Sequence, residues 1–469
     1  METLNDFVFD KAGFDKHGAS LTPTRDRFVH LLKDGSDDFS ETGSLGPPTL
    51  GNEIVPSPPE GNRFVSDEVG FDRHVRSLTQ TQQKFVQLLK DWFSNRRNVL
   101  TLISGGPGSG KTYTVVETLK KTKLSAVVMA PTARIAHKIN GRTIHSTMNL
   151  AWGKGSELLK VETELENEND VKTCLEKSQT LQHCMTCRNV SEVVVMDEIG
   201  MVPFWLTYWI IRYFFQTDRN VLFIAMGDFR QLKPVRSQYN IFHVKFDEEF
   251  ETHRIELLES MRFSPEYQTI VDRLRSLMDE NDTSRLLRYV SETYPVVGNI
   301  DSNILKKCKR ALAYKNKTVE LYNKFHVSQL SGTPVRFFKI SNQVIDKSCF
   351  VDLKSGCEVI VTENITVNKN NDSYKIINGS VLRFEEYDAF SDVAVCFDRD
   401  GKLITVPRSP VNKMIPLVPN FAGTIHKFQG ETIDLDGIVF NFNGCTDCHL
   451  IYTALSRVRS MEQILAVAL

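Results

Sequence analysis

The sequence predicts an α/β protein with two doubly wound regions, a small insertion in the first and a β-barrel-like insertion in the second. Short apolar runs alternate with helical spacing from Asn98 onward, which is typical of buried parallel strands. A glycine-rich loop follows the first run and precedes a helical segment. Between residues 331 and 413, short alternating segments with turn signals such as Asn378-Gly379 indicate antiparallel strands.

Length and composition limit the class of protein. The 469 residues suggest roughly three domains. Hydrophobic residues make up 41% and charged residues 25%, which excludes collagen-like, supercharged and wholly disordered classes. Because the formal net charge is -1, no global field attracts polyanions, and any nucleic-acid site must be local.

Targeting signals are not found. The longest apolar-aromatic stretch, Trp205 to Phe215, contains Arg212 and is shorter than the roughly 20 residues of a transmembrane helix. The first twenty residues lack the apolar core of a secretory signal. We therefore expect an intracellular protein with reduced cysteines, and the sequence does not distinguish nucleus from cytoplasm.

An internal duplication marks residues 1–63. The segment FDKHGASLTPTRDRFVHLLKD from Phe14 recurs as FDRHVRSLTQTQQKFVQLLKD from Phe71. Between the copies, residues 35–62 are rich in Gly, Ser, Pro and acids, which indicates a flexible linker. Only the second copy leads into the glycine-rich loop, so the first copy is either a docked helix or, as we favour, an evolutionary remnant.

The predicted first region spans residues 64–253. Its strands are the apolar runs VLTLIS, SAVVMA, EVVVMDE and NVLFIAMGD, and helical spacing covers Tyr113 to Lys121 and Ala133 to Asn140. The acidic, cysteine-containing segment 152–191 departs from this pattern and predicts a small inserted subdomain.

The predicted second region comprises residues 254–330 and 414–469, interrupted by the β-rich insertion 331–413. Its last residues, ILAVAL, predict a final core strand.

The glycine-rich loop fits the phosphate-binding pattern G-x-x-x-x-G-K-[ST] between a strand and a helix. Backbone N–H groups of such a loop surround a phosphate, the lysine reaches the β and γ oxygens, and the hydroxyl ligates Mg²⁺. The predicted ATP- and Mg²⁺-binding residues are Gly105, Gly106, Pro107, Gly108, Ser109, Gly110, Lys111 and Thr112.

Polar residues at the ends of two further strands predict the hydrolytic chemistry. Asp197 and Glu198 end an apolar run, where parallel sheets form their ligand crevice. Asp197 is expected to hold Mg²⁺ and Glu198 to orient or deprotonate the attacking water. Gln231 follows the strand VLFIAMGD and is expected to sense the γ-phosphate. Alternatively, the two acids cap the next helix.

The combination of GGPGSGKT, APTARIAHKI, TIHS, VVVMDEIGMV, GDFRQLKPV, TIHKFQGET and YTALSRVRS resembles superfamily 1 helicases over about Leu78 to Leu469. TIHKFQG followed by YTALSR is similar to superfamily 1B, the RecD/Dda-like branch that includes the petite-integration-frequency type. The resemblance implies two RecA-like P-loop NTPase domains with an SH3-like insert in the second. It also implies 5′-to-3′ movement on single-stranded and forked DNA, driven by ATP hydrolysis between the domains. The compact size also suits copies carried by large DNA viruses and phages.

The resemblance assigns further nucleotide-site residues by position. Gln82 is expected to bind the adenine edge, with an exposed helix face as the alternative. Arg262 and Arg457 are expected to reach the γ-phosphate from the second domain as arginine fingers. Gly430 is expected to approach the nucleotide closely.

The resemblance also implies contacts with single-stranded DNA, through hydroxyl groups, rings and backbone N–H groups. Helix caps and a buried core histidine are the alternatives for several of these positions. The expected DNA-binding residues are Pro131, Thr132, Arg134, His145, Ser146, Thr424 and His426.

Several alternatives stay open at this point. Cys174, Cys184 and Cys187, or Cys445 and Cys448, are either free thiols or zinc ligands. The rival functions are an RNA helicase, a nucleic-acid-stimulated translocase without unwinding activity, and a non-catalytic binding protein with the same fold.

Overall fold

The computed structural model describes residues 67–469 except 152–154, 167, 236, 238, 245, 247–248, 281, 342–343, 370–371 and 411–412. The described residues divide into two compact units, 67–262 and 263–469. The first sequence copy and the linker predicted between residues 35 and 62 lie outside the described residues. Nowhere in the described chain is a helix long and apolar enough to cross a lipid bilayer.

The second sequence copy forms helices α1 (Glu68–Ser77) and α2 (Gln80–Ser94). Asp67 caps α1 by accepting the Gly70 N–H, and Thr79 begins α2 with a reciprocal capping box to Gln82. The apolar residues of α2 recur at helical spacing, so they lie on one face of the helix, and this face is buried.

The first unit is built on a parallel sheet with strand order β3-β2-β4-β5-β1-β6. The strands are β1 (Val99–Gly105), β2 (Ala126–Ala130), β3 (Arg142–Thr143), β4 (Val193–Met196), β5 (Leu222–Gly227) and β6 (Thr252–Leu257). The helices between them are α3 (Lys111–Lys120), α4 (Ala133–Lys138), α5 (Ile144–Thr147), α6 (Glu157–Glu164), α7 (Val171–Ser178) and α8 (Phe204–Phe215). The apolar runs read as buried strands are therefore strands in the structure.

The boundary predicted at Arg254 is wrong. Arg254 lies within β6, which pairs in parallel with β1 from Leu100 to Gly105. The strand was missed because its segment, THRIEL, alternates polar and apolar residues, as expected for an edge strand. The first unit therefore continues to Arg262.

The segment predicted as an inserted subdomain contributes helices α6 and α7 to the core of the first unit. Leu158, Val161 and Cys174 belong to one buried cluster with residues of α8. Trp209 on α8 donates a hydrogen bond from Nε1 to Ser178 Oγ at 2.8 Å. The segment therefore packs on the main domain through a shared core.

The second unit contains a parallel sheet with order β17-β7-β18-β19. Its strands are β7 (Arg310–Ala313), β17 (Ala422–Thr424), β18 (Ile438–Asn441) and β19 (Ile464–Ala468). Its helices are α9 (Pro265–Asp279), α10 (Thr283–Thr293), α11 (Ser302–Lys307), α12 (Asn316–Gln329) and α13 (Cys448–Leu455). The predicted final core strand is thus β19.

Between α12 and β17 the chain forms an antiparallel sheet of order β15-β14-β13-β10-β16 and two hairpins, β8–β9 and β11–β12. The strands are β8 (Val335–Ser341), β9 (Val344–Leu353), β10 (Glu358–Val361), β11 (Ile365–Lys369), β12 (Asp372–Ile376), β13 (Val381–Asp388), β14 (Val393–Phe397), β15 (Leu403–Pro407) and β16 (Leu417–Pro419). Alternating residues of these strands form a separate core. The SH3-like classification of this region stays a prediction.

Candidate nucleotide and nucleic-acid site

The phosphate loop connects β1 to α3, as its spacing predicts. Gly108 and Gly110 have φ values of 78° and 76°, which disfavour residues with a side chain. A Cβ atom on Gly108 would lie 2.3 Å from Arg262 Cβ, so this position also needs glycine for space. The loop conformation therefore favours glycine at positions 108 and 110, and the sequence has glycine at both.

Lys111 points its amine back into the loop. Its Nζ donates to the carbonyl oxygens of Gly105 at 2.7 Å and Gly106 at 3.1 Å. Burial lowers the pKa of Lys111, and the nearby carboxylates of Asp228, Glu198 and Asp197 act in the opposite direction. The loop, the end of β4 and the end of β5 therefore bring one amine and three acids together.

Asp197 and Thr112 lie in direct contact at the end of β4. Thr112 Oγ1 donates to Asp197 Oδ2 at 2.7 Å, and Glu198 N donates to Asp197 Oδ1 at 2.8 Å. Burial, followed by the neighbouring Glu198, raises the pKa of Asp197 to about 6. A hydroxyl beside a buried carboxylate is a donor set that suits Mg²⁺.

Glu198 adopts a left-handed backbone conformation, with φ 50° and ψ 40°. Residues other than glycine, asparagine and aspartate seldom adopt this conformation, because Cβ approaches the following carbonyl oxygen. Glu198 precedes a short 3-10 turn, Ile199–Met201, and its side chain caps no N–H of that turn. The alternative that Glu198 caps the next helix is therefore wrong.

Gln231 is buried, and its Nε2 donates to Asp228 Oδ2 at 3.1 Å. Asp228 is also buried and accepts the Arg230 N–H at 3.0 Å through Oδ1. Sequence reasoning did not assign Asp228 a role, although it lies in the quoted segment GDFRQLKPV. Its signal was an acid at the end of a buried strand, the same signal that identified Asp197.

Gln82 is 1% exposed, so the alternative of an exposed helix face is wrong. Its Oε1 accepts the Thr79 N–H at 3.0 Å. Its Nε2 donates to the Ser109 carbonyl oxygen of the phosphate loop at 3.0 Å. The side chain expected to bind adenine is therefore in contact with the loop itself.

Arg262 lies in the first unit, so its assignment to the second domain is wrong. The residues before it contact the phosphate loop: Ser260 Oγ donates to Pro107 O at 2.9 Å, and Met261 N donates to Gly108 O at 3.0 Å. Arg262 is close enough to Lys111 to lower the pKa of the amine. The prediction failed because β6 returns the chain to the first sheet immediately before residues 260–262.

Arg457 lies in the second unit, after α13, and is 1% exposed. Its guanidinium donates to Thr453 O at 2.8 Å, Glu431 O at 3.3 Å and Ser456 Oγ at 3.0 Å. Gly430 directly precedes Glu431, so this arginine and the predicted glycine turn are adjacent.

The expected DNA-binding residues of the first unit follow β2 and β3. Thr132 caps α4 by accepting the Ile135 N–H, which agrees with the alternative reading for this residue. Thr143, and not Ser146, is the cap of α5, and Ser146 Oγ donates to Thr143 O at 3.2 Å. Burial lowers the pKa of His145 to about 4, so its ring is neutral near pH 7.

Pro131 and Arg134 are half-buried near the same ends of β2 and α4. In the second unit, Thr424 ends β17 and is buried, and His426 lies in the 3-10 turn Ile425–Phe428. Burial also lowers the pKa of His426. The DNA-binding role of all seven residues stays a prediction.

The cysteine groups show separate backbone contacts. Cys174, Cys184 and Cys187 donate from Sγ to the carbonyl oxygens of different residues, namely Glu168, Thr180 and Asn189. Within the described ranges, no group of three or more His, Cys, Asp or Glu side chains is arranged to hold a metal ion.

Known proteins resemble this chain over most of its length. A family model described as an AAA domain matches residues 92–237. An ATP-dependent DNA helicase Pif1 from Campylobacter jejuni is 24% identical over 403 residues, covering 76% of this chain and 86% of the relative. Another from Bdellovibrio bacteriovorus is 24% identical over 424 residues, covering 83% of this chain and 87% of the relative.

Solved structures share the fold. A Pif1 helicase from Bacteroides, in complex with ADP-AlF3 and single-stranded DNA, has a TM-score of 0.56 and 23% identity, covering 83% of this chain and 92% of that one. A Pif1 helicase from Candida albicans has a TM-score of 0.55 and 20% identity, covering 83% and 94%. The predicted α/β fold with two RecA-like domains is therefore confirmed.

Proposed function

We propose that this chain, which belongs to the Pif1-like superfamily 1B helicases, is an ATP-dependent DNA helicase that moves 5′ to 3′ on single-stranded DNA. The substrates are forked duplexes and single strands, the DNA forms bound in solved Pif1 structures. A viral or phage origin stays a prediction.

The observation that carries the proposal is the contact between Thr112 and Asp197 beside Lys111. The 2.7 Å hydrogen bond joins the start of α3 to the end of β4. Lys111 lies within electrostatic range of three carboxylates at the same edge of the sheet. An amine, a hydroxyl and buried acids at the end of parallel strands are the groups that phosphoryl transfer requires.

Thr112 and Asp197 are the residues that would hold Mg²⁺, which supplies positive charge to the phosphate oxygens when it is bound. The raised pKa of Asp197 supports this assignment, because a nearby cation offsets the cost of a buried negative charge. Lys111 would bind the β and γ oxygens of ATP.

Glu198 would orient and deprotonate the attacking water, with Asp228 holding Gln231 toward the γ-phosphate through the 3.1 Å hydrogen bond. Arg262, which follows the segment bound to Pro107 and Gly108, would stabilise charge on the transferring phosphoryl group. Arg457 is the candidate arginine of the second unit, and its hydrogen bonds to the carbonyl oxygens of Thr453 and Glu431 would fix its orientation.

The proposed DNA-binding surface of each unit follows the ends of its parallel strands. In the first unit it comprises Pro131, Thr132, Arg134, His145 and Ser146. In the second unit it comprises Thr424 and His426. A neutral His145 would contact bases and sugars as a ring and not as a cation.

The proposed domain limits follow the corrected boundary. The first RecA-like domain ends at Arg262 and carries the insertion 152–191. The second comprises residues 263–330 and 414–469, with the β-rich insertion 331–413 between them.

Steady-state ATP hydrolysis tests the assignment. We expect the wild-type protein to hydrolyse ATP with Mg²⁺ faster when single-stranded DNA is added than when RNA of the same sequence is added. Lys111→Ala should abolish turnover, whereas Glu198→Gln should bind ATP without turnover. Lys120→Ala, on the exposed face of the same helix as Lys111, is the matched control and should retain the wild-type rate. Greater stimulation by RNA would favour an RNA helicase.

A further inference from the structure

We propose that Cys445 and Cys448 are a redox-sensitive thiol pair, which oxidised glutathione converts to an intramolecular disulfide that slows ATP hydrolysis. The two cysteines have the spacing C-x-x-C directly before α13, the helix that leads to Arg457. In reducing compartments, protein disulfides are usually transient and catalytic or redox-sensing. The effect on hydrolysis rests on the proposed function, whereas formation of the disulfide does not.

The sulfur of Cys445 lies beside the chain that leads into Cys448. Its Sγ donates to the Asp447 carbonyl oxygen at 3.7 Å, and that oxygen belongs to the peptide bond between Asp447 and Cys448. Because a peptide unit is planar and short, only this unit separates the Cys445 sulfur from the Cys448 Cα atom. A local change at residues 445–448 therefore suffices to join the two sulfurs.

The two thiols differ in exposure, which assigns their roles in the reaction. Cys445 is 7% exposed, whereas Cys448 is half-buried. Burial first, and then the nearby Asp447 carboxylate and Cys448 thiol, raise the pKa of Cys445 to about 11. Cys448 is therefore the thiol that a small-molecule disulfide reaches first, and Cys445 is the resolving thiol, which is protonated near pH 7.

The reaction is a thiol–disulfide exchange in two steps. The Cys448 thiolate attacks one sulfur of oxidised glutathione, forms a mixed disulfide and releases one glutathione thiolate. Cys445 then loses its proton and attacks the Cys448 sulfur, which breaks the mixed disulfide and releases the second glutathione thiolate. The two protons of the cysteines pass to the two released thiolates. The protein loses two electrons and two protons, and one oxidised glutathione becomes two reduced molecules.

The disulfide removes a contact at the start of α13. In the reduced protein, Cys448 Sγ donates to the hydroxyl oxygen of Thr283, the first residue of α10, at 3.1 Å. A disulfide sulfur has no proton to donate, so oxidation breaks this hydrogen bond. At the other end of α13, Tyr267 donates to the Leu455 carbonyl oxygen at 2.8 Å. Oxidation therefore releases the first turn of α13 from α10, while the last turn stays attached to α9.

The position of Arg457 depends on α13. Its Nε donates to the carbonyl oxygen of Thr453, a residue of this helix, at 2.8 Å. A shift of α13 would therefore move the candidate arginine of the second unit, and a displaced arginine stabilises the transferring phosphoryl group less. We expect the oxidised protein to hydrolyse ATP at least about 5-fold more slowly, the lower end of ordinary coupling between separate sites.

A second C-x-x-C pair, Cys184 and Cys187, lies in the first unit. Its sulfurs donate to the carbonyl oxygens of Thr180 and Asn189, which lie outside the pair and on opposite sides of it along the chain. The Cys445 sulfur instead contacts the segment inside its own pair. Cys184→Ser is therefore the matched control variant, and it should respond to oxidation as the wild-type protein does.

The test incubates the full chain in glutathione buffers of increasing oxidised fraction, near pH 8, where accessible thiols are partly ionised. The remaining thiols are alkylated, and disulfides are mapped by mass spectrometry of peptides. ATP turnover with Mg²⁺ and single-stranded DNA is measured on the same samples. We expect a disulfide between Cys445 and Cys448, a parallel fall in turnover, and recovery of turnover after reduction with dithiothreitol.

Two variants separate the disulfide from the loss of a side chain. Cys448→Ser keeps a donor for Thr283 and cannot form the disulfide, so its turnover should equal that of the reduced wild-type protein in every buffer. Cys445→Ala lacks the resolving thiol and should retain glutathione on Cys448. Hydrogen exchange gives a measurement independent of activity: oxidation should accelerate exchange in the first turn of α13 in the wild-type protein and leave Cys448→Ser unchanged.

The proposal is overturned if no disulfide between Cys445 and Cys448 forms in any buffer, or if the disulfide forms and turnover is unchanged. A fall in turnover that persists in Cys448→Ser would assign the redox response to other cysteines and would also overturn it. Wild-type protein that hydrolyses no ATP in reducing buffer would instead overturn the proposed function. Disulfide mapping and hydrogen exchange would still test the thiol pair in that case, so the two failures are distinguishable.

Discussion

Glu198 combines a proposed catalytic carboxylate with a left-handed backbone, so two substitutions at this position should separate chemistry from strain. Glu198→Gln keeps the side-chain size and the backbone preference, whereas Glu198→Gly removes both. Each variant loses the carboxylate, and we expect each to reduce ATP turnover about 10²- to 10⁴-fold, the range for a general base.

The two variants should differ in stability. The φ of 50° and ψ of 40° place Glu198 in a conformation that costs residues with a Cβ atom about 1–2 kcal/mol. Glycine avoids that cost but loses about 0.5–1 kcal/mol more in conformational entropy on folding. The difference predicts that Glu198→Gly raises the free energy of unfolding of the first unit by about 0–1.5 kcal/mol relative to Glu198→Gln.

The assay is urea unfolding monitored by tryptophan fluorescence. The sequence has 4 tryptophans, and the three that the structure describes, Trp92, Trp205 and Trp209, lie within the first unit. The signal therefore reports the unfolding of the domain that contains Glu198, and both variants are compared at one pH without nucleotide.

Two results would refute this reasoning. If Glu198→Gly is less stable than Glu198→Gln, the left-handed conformation stores no strain at this residue. If Glu198→Gln hydrolyses ATP at the wild-type rate, Glu198 is not the base. Each outcome refutes one part of the account and leaves the other part open to its own measurement.

The remaining predictions concern other parts of the chain. Tyr267→Phe should destabilise the second unit by about 1–3 kcal/mol, because the buried Leu455 carbonyl loses a 2.8 Å hydrogen bond; hydrogen exchange of α13 would detect this as faster exchange. The folded-state pKa of His145, about 4, lies below its usual 6.5, so its contribution to stability is present above pH 6.5 and lost as the pH falls toward 4. His145→Gln should therefore reduce the acid destabilisation of the first unit between pH 6.5 and 4.5, by about 3 kcal/mol at most, as measured by urea unfolding at each pH. Removal of residues 1–62 should leave unwinding rates unchanged if the first sequence copy is a remnant, and a fall in the rate would favour a docking role.

Much of the first sheet could be predicted because β1, β4 and β5 are buried on both faces and read as continuous apolar runs. The half-buried β2 is also a continuous apolar run. Strand β6 could not, since its polar residues face outward at the sheet edge and interrupt the apolar signal. The position of Arg262 depended on that strand, so one missed element moved a predicted arginine finger to the wrong domain.

The nucleotide site was predictable where spacing alone specifies it. Lys111 and Thr112 follow from the phosphate-loop pattern, and Asp197 follows from its place at the end of a strand. Gln82 contacts Ser109, 27 residues away, and Glu259 contacts Thr79, 180 residues away, and only the folded chain brings these groups together. The motif predicts that Gln82 lies near the nucleotide. Only the folded structure shows that its amide contacts the Thr79 N–H and the Ser109 carbonyl oxygen.

Strand displacement by the purified protein, with ATP and Mg²⁺, tests the central claim most directly. Duplexes with a 5′ single-stranded tail are compared with duplexes bearing a 3′ tail, in DNA and in RNA. The account predicts that only 5′-tailed DNA is separated and that Lys111→Ala separates nothing. Separation of 3′-tailed DNA or of RNA alone, or DNA-stimulated hydrolysis without separation of any substrate, would contradict it.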